Sequence, residues 1–103
     1  MTGTYRHNID QKGRLFIPAK LREELGASFY VTKEVDNCLV VYPEHVWKEI
    51  EEKLAALPRS KSRSLQRMIF GSAEKCEPDA QGRIVIPQHL REYAGLEKEV
   101  AII

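Results

Sequence analysis

The sequence is poor in the residues that carry covalent and metal chemistry. Its 103 residues hold two cysteines and three histidines. Cys38 and Cys76 stand far apart with no Cys-x-x-Cys spacing, and His7, His45 and His89 lack a partner at ligand spacing. A disulfide scaffold and a zinc site are excluded on those grounds, and no cofactor is implied. Both cysteines are read instead as small buried hydrophobes in a reducing cytosol. A Gly-x-Ser-x-Gly elbow, a P-loop and a Gly-x-Gly-x-x-Gly turn are all missing. The longest clearly apolar run, residues 38–42, falls far short of the ~20 residues of a membrane span. The first ten residues have no apolar signal core, so the expectation is a cytoplasmic chain with no membrane partner.

Net charge is nearly absent as well, at +1, yet it is unevenly spread. Residues 1–22 carry +4, residues 23–57 carry −5, residues 58–71 carry +4 and residues 72–103 carry −2. A chain segregated in this way can show a positive face while staying close to neutral overall. Its 43% apolar and 30% charged composition is that of one ordinary globular domain.

What is present is a repeat. "DQKGRLFIP" at 10–18 returns as "DAQGRIVIP" at 79–87, at an offset of 69. From Asp10/Asp79 to Gly26/Gly95 the copies agree without a gap at nine of seventeen positions: Asp, Gly, Arg, Ile, Pro, Leu, Arg, Glu and Gly. This is an internal duplication, and it divides the chain into 1–57, a first half with its following helix; 58–71, a basic linking helix; and 72–103, a second half.

Each copy reads as strand, turn, strand and short helix. Residues 4–10 and 14–17 form the arms of a hairpin, with Gly13 taking the positive φ of a G1 bulge and Asp10 accepting the turn's N–H groups. Pro18 starts a helix and Gly26 stops it. A second hairpin follows, over 29–34 and 38–42 around residues 35–37. After Pro43, Val46, Trp47, Ile50, Leu54 and Leu57 recur at helical spacing up to Pro58, with Trp47 as a packing anchor. A further helix starts near Ser60 or Ser62, either able to cap it, and runs to Gly71. The second unit repeats the pattern with strands over 73–78 and 83–86, a helix between Pro87 and Gly95, and a strand from Val100 onward. That last strand has no hairpin partner of its own, which leads to the expectation that the sequence is C-terminally short or that another chain covers its end.

Turn formation accounts for the glycines and prolines of the motif but less well for Arg14 and Arg83, since many residues can follow a turn glycine. A guanidinium at that position can give two parallel hydrogen bonds to a guanine edge or a phosphate, and a β-ribbon can enter the major groove. Lys12 adds a mobile charge to the first loop and Gln81 a neutral amide to the second. Asp10 and Asp79 do not suit a proton-sharing dyad, because the arginine four residues on keeps each of them ionised. Catalysis is not expected. Arg59, Lys61, Arg63 and Arg67 are read as a solvated helix face that contacts phosphate weakly or a neighbouring subunit.

Paired Asp-x-x-Gly-Arg turns, each followed by a hydrophobic-Ile-Pro and a Leu-Arg helix, closely resemble the MraZ family of bacterial transcriptional regulators, in the AbrB/SpoVT-like swapped-hairpin superfamily. The stretches "DQKGRLFIPAKLRE", "CLVVYPEHVWKEIEEKLAALP" and "DAQGRIVIPQHLREYAGL" carry the likeness, which covers almost the entire chain. The resemblance implies an α+β fold of two AbrB-like swapped-hairpin β-barrel halves, joined as an internal pseudo-dimer with linking helices. It also implies a ring-shaped homo-oligomer, nucleoid-associated, that binds tandem promoter repeats in double-stranded DNA and regulates, usually represses, its own division and cell-wall operon. The family's signature maps onto Asp10 and Arg14 and onto Asp79 and Arg83; Lys12 and Gln81 are added from charge and position. Relative to the family, the chain is short beyond Ile103. The alternative is a ring-forming scaffold or an antitoxin-like interaction module whose acidic helix, residues 44–57, binds a protein.

Overall fold

The repeated prolines set the frame of each half. Pro18 (φ −54°, ψ 145°) and Pro87 (φ −56°, ψ 149°) hold extended backbone just ahead of the helices α1 (Ala19–Leu25) and α4 (Gln88–Ala94), so each proline caps its helix rather than occupying the first turn. The computed structural model describes residues 3–103, apart from the side chains of residues 61 and 62. Between and around these helices lie β1 (Tyr5–Asn8), β2 (Arg14–Phe16), β3 (Phe29–Glu34), β4 (Cys38–Pro43), α2 (Glu44–Ala56), α3 (Arg59–Ser72), β5 (Glu74–Cys76), β6 (Arg83–Val85) and β7 (Glu99–Ile102).

The strands pair mainly across the repeat. β1 runs antiparallel to β7, from Tyr5↔Ile102 to Asn8↔Glu99. β2 runs antiparallel to β6, as Arg14↔Val85, Leu15↔Ile84 and Phe16↔Arg83. β3 is flanked on one side by β4 and on the other by β5. The expected hairpin between residues 4–10 and 14–17 therefore closes only at its tip, through the Ile9↔Leu15 bridge and the Asp10 N–H to Arg14 carbonyl bond of 3.1 Å. Beyond the tip its arms part and take partners from the other half. The physical reason is burial: pairing β2 with β6 brings Leu15 and Ile84 together at 5% and 2% exposure, at the centre of the core. The equivalent residues Ile17 and Ile86, and Leu21 and Leu90, join them there. The result is an α+β fold of two interleaved halves.

The repeat is not exact after the helices. Cys76 and His7, 69 apart, oppose Phe29 and Val100, which are 71 apart. Two additional residues after Gly95 let Val100 fill the core position that Phe29 fills in the first half. The halves also differ at their outer strands. β3 has neighbours on both edges, whereas β7 pairs with β1 alone among the described residues. An apolar cavity of about 300 Å³ lies beside it, with Leu25, Leu39, Leu96 and Ile102 in its wall.

Trp47 is a packing anchor, 5% exposed, stacked on Tyr30 at 5.0 Å and edge-on to Phe70 at 5.9 Å. α3 is fastened to β3 by the buried Thr32 hydroxyl, which donates to the Ile69 carbonyl at 2.8 Å and meets the Ser72 hydroxyl at 2.8 Å. Two expectations need correction. α3 begins at Arg59 behind Pro58 with no side-chain cap, so Ser60 is already inside the helix, and the side chain of Ser62 lies outside the described residues. Cys76 is buried, and burial pushes its thiol up to about 11, but Cys38 is exposed because it opens β4 at the solvent end of the ladder, opposite Glu34.

Candidate nucleic-acid interface

The site begins with two turns of almost identical geometry. In the first, one Asp10 carboxylate oxygen accepts the backbone N–H groups of Lys12 and Arg14, both at 2.9 Å, while the other accepts Nε of Arg14 at 2.6 Å. In the second, Asp79 accepts the N–H groups of Gln81 and Arg83 at 2.9 Å and Nε of Arg83 at 3.0 Å. Gly13 (φ 81°) and Gly82 (φ 79°) make the reversal possible, each donating to the carbonyl of its aspartate. The Arg14 N–H beside Asp10, opposed in part by desolvation, holds that carboxyl below the usual aspartate range; the Arg83 N–H does the same for Asp79. Both carboxylates are exposed, so their work is local: they keep each turn closed and each guanidinium aimed.

The aspartates engage the arginines only through Nε. The remaining guanidinium nitrogens of Arg14 and Arg83 have no partner among the described residues, and both side chains are about one-third exposed. The guanidiniums are thus oriented without being consumed. The Lys12 and Gln81 side chains are exposed at the loop tips, likewise without a side-chain partner among the described residues.

Pairing of β2 with β6 merges the two turns into one surface. Leu15 and Ile84 point inward, so Arg14, Phe16, Arg83 and Val85 alternate onto the outer face of a single two-stranded ribbon. In the ladder Arg14 and Arg83 are offset by two residues, about 7 Å along the strands. Phe16, 38% exposed, stands opposite Arg83, and Val85, 56% exposed, stands opposite Arg14, so the two apolar residues occupy the other diagonal of the face. The His7 and Phe16 rings meet at an angle of 61° with centroids 5.5 Å apart, and the Arg22 guanidinium lies 5.7 Å from the centroid of the Phe16 ring.

This geometry can be set beside known proteins. The model of the MraZ protein family, whose description adds "antitoxin-like", matches residues 1–67 and again 69–103. The chain belongs to the MraZ family. Among curated relatives, the protein named transcriptional regulator MraZ from Heliobacterium modesticaldum is 58% identical over 103 residues, 98% of this chain and 72% of the relative. MraZ proteins from Desulforamulus reducens and Carboxydothermus hydrogenoformans are 53% and 54% identical over the same shares. A solution structure of PHS018 from Pyrococcus horikoshii covers 95% of this chain and 83% of its own at 13% identity and a TM-score of 0.42, a likeness too slight to bear on the fold.

All six residues singled out from the sequence lie in the two turns or at the start of the ribbon. Four neighbours of these turns were not singled out from the sequence. Phe16 and Val85 share the outer face, and alternation along a strand would have found them once the inward residues were known. Arg22 and Arg91 come from α1 and α4 and reach the opposite half's turn glycine. Their signal was already in the repeat, as the second of the two arginines preserved between the copies. Of the linking-helix cations, Arg59, Arg63 and Arg67 are exposed, whereas the side chain of Lys61 lies outside the described residues. No helix among the described residues is long and apolar enough to cross a membrane, and none of them cluster as metal ligands.

Proposed function

We propose that this protein is a DNA-binding transcriptional regulator that lays the β2–β6 ribbon on the duplex, with Arg14 and Arg83 reading base edges or gripping phosphate. One observation carries the reading: two arginines from opposite halves share one exposed ribbon face, each fixed at Nε and open at its other nitrogens. A two-stranded ribbon fits the roughly 12 Å width of the major groove, and a guanidinium held by a neighbouring carboxylate loses less freedom on binding. Asp10 and Asp79 orient the arginines, while Lys12 and Gln81 reach backbone or base from the tips. The names of the relatives support the regulatory role.

The finer reading is that of a nucleoid-associated repressor of its own division and cell-wall operon, acting as a ring of subunits on tandem repeats. A single ribbon offers few contacts against genome-wide competition. Several ribbons on successive repeats make the later contacts intramolecular and multiply avidity. The experiment is binding of the protein to its upstream DNA carrying one repeat or several, at fixed salt. A steep gain with repeat number is expected. Equal affinity for one and several would overturn the multivalent mechanism, and no binding to any would favour a protein-interaction module.

A further inference from the structure

The geometry points to Arg22 and Arg91 as positioning residues that act across the repeat, each bracing the recognition turn of the opposite half. The inference deepens the DNA-binding reading and rests on it for the identity of the ligand, though not for the bracing itself.

Gly13 and Gly82 are buried, although the residues just before them, at the tips of the same turns, are exposed. What covers them is an arginine from the other half. A Cβ built on Gly13 would collide with Nη1 of Arg91 and sit 2.7 Å from its Cζ. One built on Gly82 would sit 2.8 Å from Cζ of Arg22 and 2.9 Å from its Nη1. Each guanidinium therefore lies directly against the turn backbone, in space that only glycine leaves open. The crossing recurs in the main chain, where the Ile86 N–H donates to the Gly13 carbonyl and the Ile17 N–H to the Gly82 carbonyl, both at 2.9 Å.

Two copies of one arrangement, built from different neighbouring residues, argue that it is a designed contact and not an accident of packing. Arg22 is held further by its own half, with Nε donating to the Ile17 carbonyl at 2.9 Å and its guanidinium beside Phe16. For Arg91 no such tether exists among the described residues, and it presses closer to its glycine. The glycine lies next to the reading arginine, so a guanidinium packed on it limits how far Arg14 or Arg83 can swing. A planar guanidinium suits this contact because such a group can lie flat on a peptide, which a lysine ammonium cannot do.

The test uses the full chain with four variants: Arg91→Ala, Arg91→Lys, Arg22→Ala and Arg22→Lys. Nuclear magnetic resonance of the free protein should show a crossed pattern, Arg91 variants moving the Gly13 and Arg14 amides and Arg22 variants moving those of Gly82 and Arg83. Binding to the upstream duplex should weaken roughly tenfold for alanine and lysine alike, with an unchanged dependence on salt. A same-half pattern of shifts would overturn the bracing. Rescue by lysine, with a salt slope lowered by about one on removal to alanine, would also overturn it, by making the arginines phosphate contacts. Should the unaltered protein bind no duplex at all, the DNA reading fails and the crossed pattern alone decides whether the bracing is real.

Discussion

The two halves carry the same turn but live in different surroundings. In the first, Gly13 is pressed by an Arg91 that has no tether among the described residues, and β3 is paired on both edges. In the second, Gly82 meets an Arg22 already anchored to Ile17, and β7 has one neighbour among the described residues. The Asp–Arg arrangement nonetheless uses the same donors and acceptors in both, with backbone bonds of 2.9 Å in each half and Nε contacts of 2.6 and 3.0 Å. Duplication has kept the Asp-x-x-Gly-Arg turns and the crossing arginines, while Lys12 and Gln81 at the tips, Phe16 and Val85 on the outer face and the anchoring of Arg22 and Arg91 have diverged. The shared geometry therefore belongs to the two Asp–Arg turns, and the asymmetry to what surrounds them.

The largest effect should come from the ribbon face itself. Arg14→Ala and Arg83→Ala should each weaken duplex binding by roughly 5- to 150-fold, the value of about 1–3 kcal/mol per good contact. The pair together should abolish it, with melting temperatures little changed. Unequal single losses would break the symmetry of the ribbon, and a large melting loss would make the arginines structural.

The glycines sharpen the contrast between the frames. Both substitutions force alanine into positive φ, at about 1–2 kcal/mol. Gly13→Ala should cost more, because its Cβ would also come to 3.0 Å from the Ile86 backbone carbonyl, whereas the three atoms nearest to a Cβ at Gly82 all belong to the movable Arg22 side chain. Denaturant midpoints measured side by side will show the order, and the reverse order would refute the asymmetry. A smaller difference is expected in hydrogen exchange. Amides of the doubly flanked β3 should be protected for longer than those of β7.

Acid should separate the halves least. Asp10 and Asp79 are both held below their ordinary value, chiefly by a backbone N–H, so the order they lend their turns is full above the unfolded-chain value and fades as pH falls through the lowered folded value. Carboxyl resonances followed by nuclear magnetic resonance should give two midpoints, both beneath that of an ordinary aspartate. An ordinary midpoint at either site would mean that its turn is open in solution.

Much of the site was legible because it is local. Asp-x-x-Gly-Arg specifies a turn within five residues, and the structure places the carboxylate, the glycine and the guanidinium as the chemistry of those residues requires. The pairing of the strands was not legible in the residues themselves. Nothing in residues 4–17 says that β2 will leave its own hairpin for a strand 69 positions away, since that choice is decided by which arrangement buries Leu15 and Ile84. The same non-local choice hid Arg22 and Arg91, whose helix pattern is that of ordinary amphipathic surface. Cys38 was misjudged because an apolar run says where a strand lies but not which of its ends meets water.

The most direct measurement concerns the Nε–Hε resonances of Arg14 and Arg83 as duplex carrying the protein's own upstream DNA is added to the labelled protein. If the ribbon faces DNA, both signals move together and saturate at the same DNA concentration, ahead of any change on α3. If they stay still while the α3 arginines respond, the duplex sits elsewhere and the ribbon is only part of the frame.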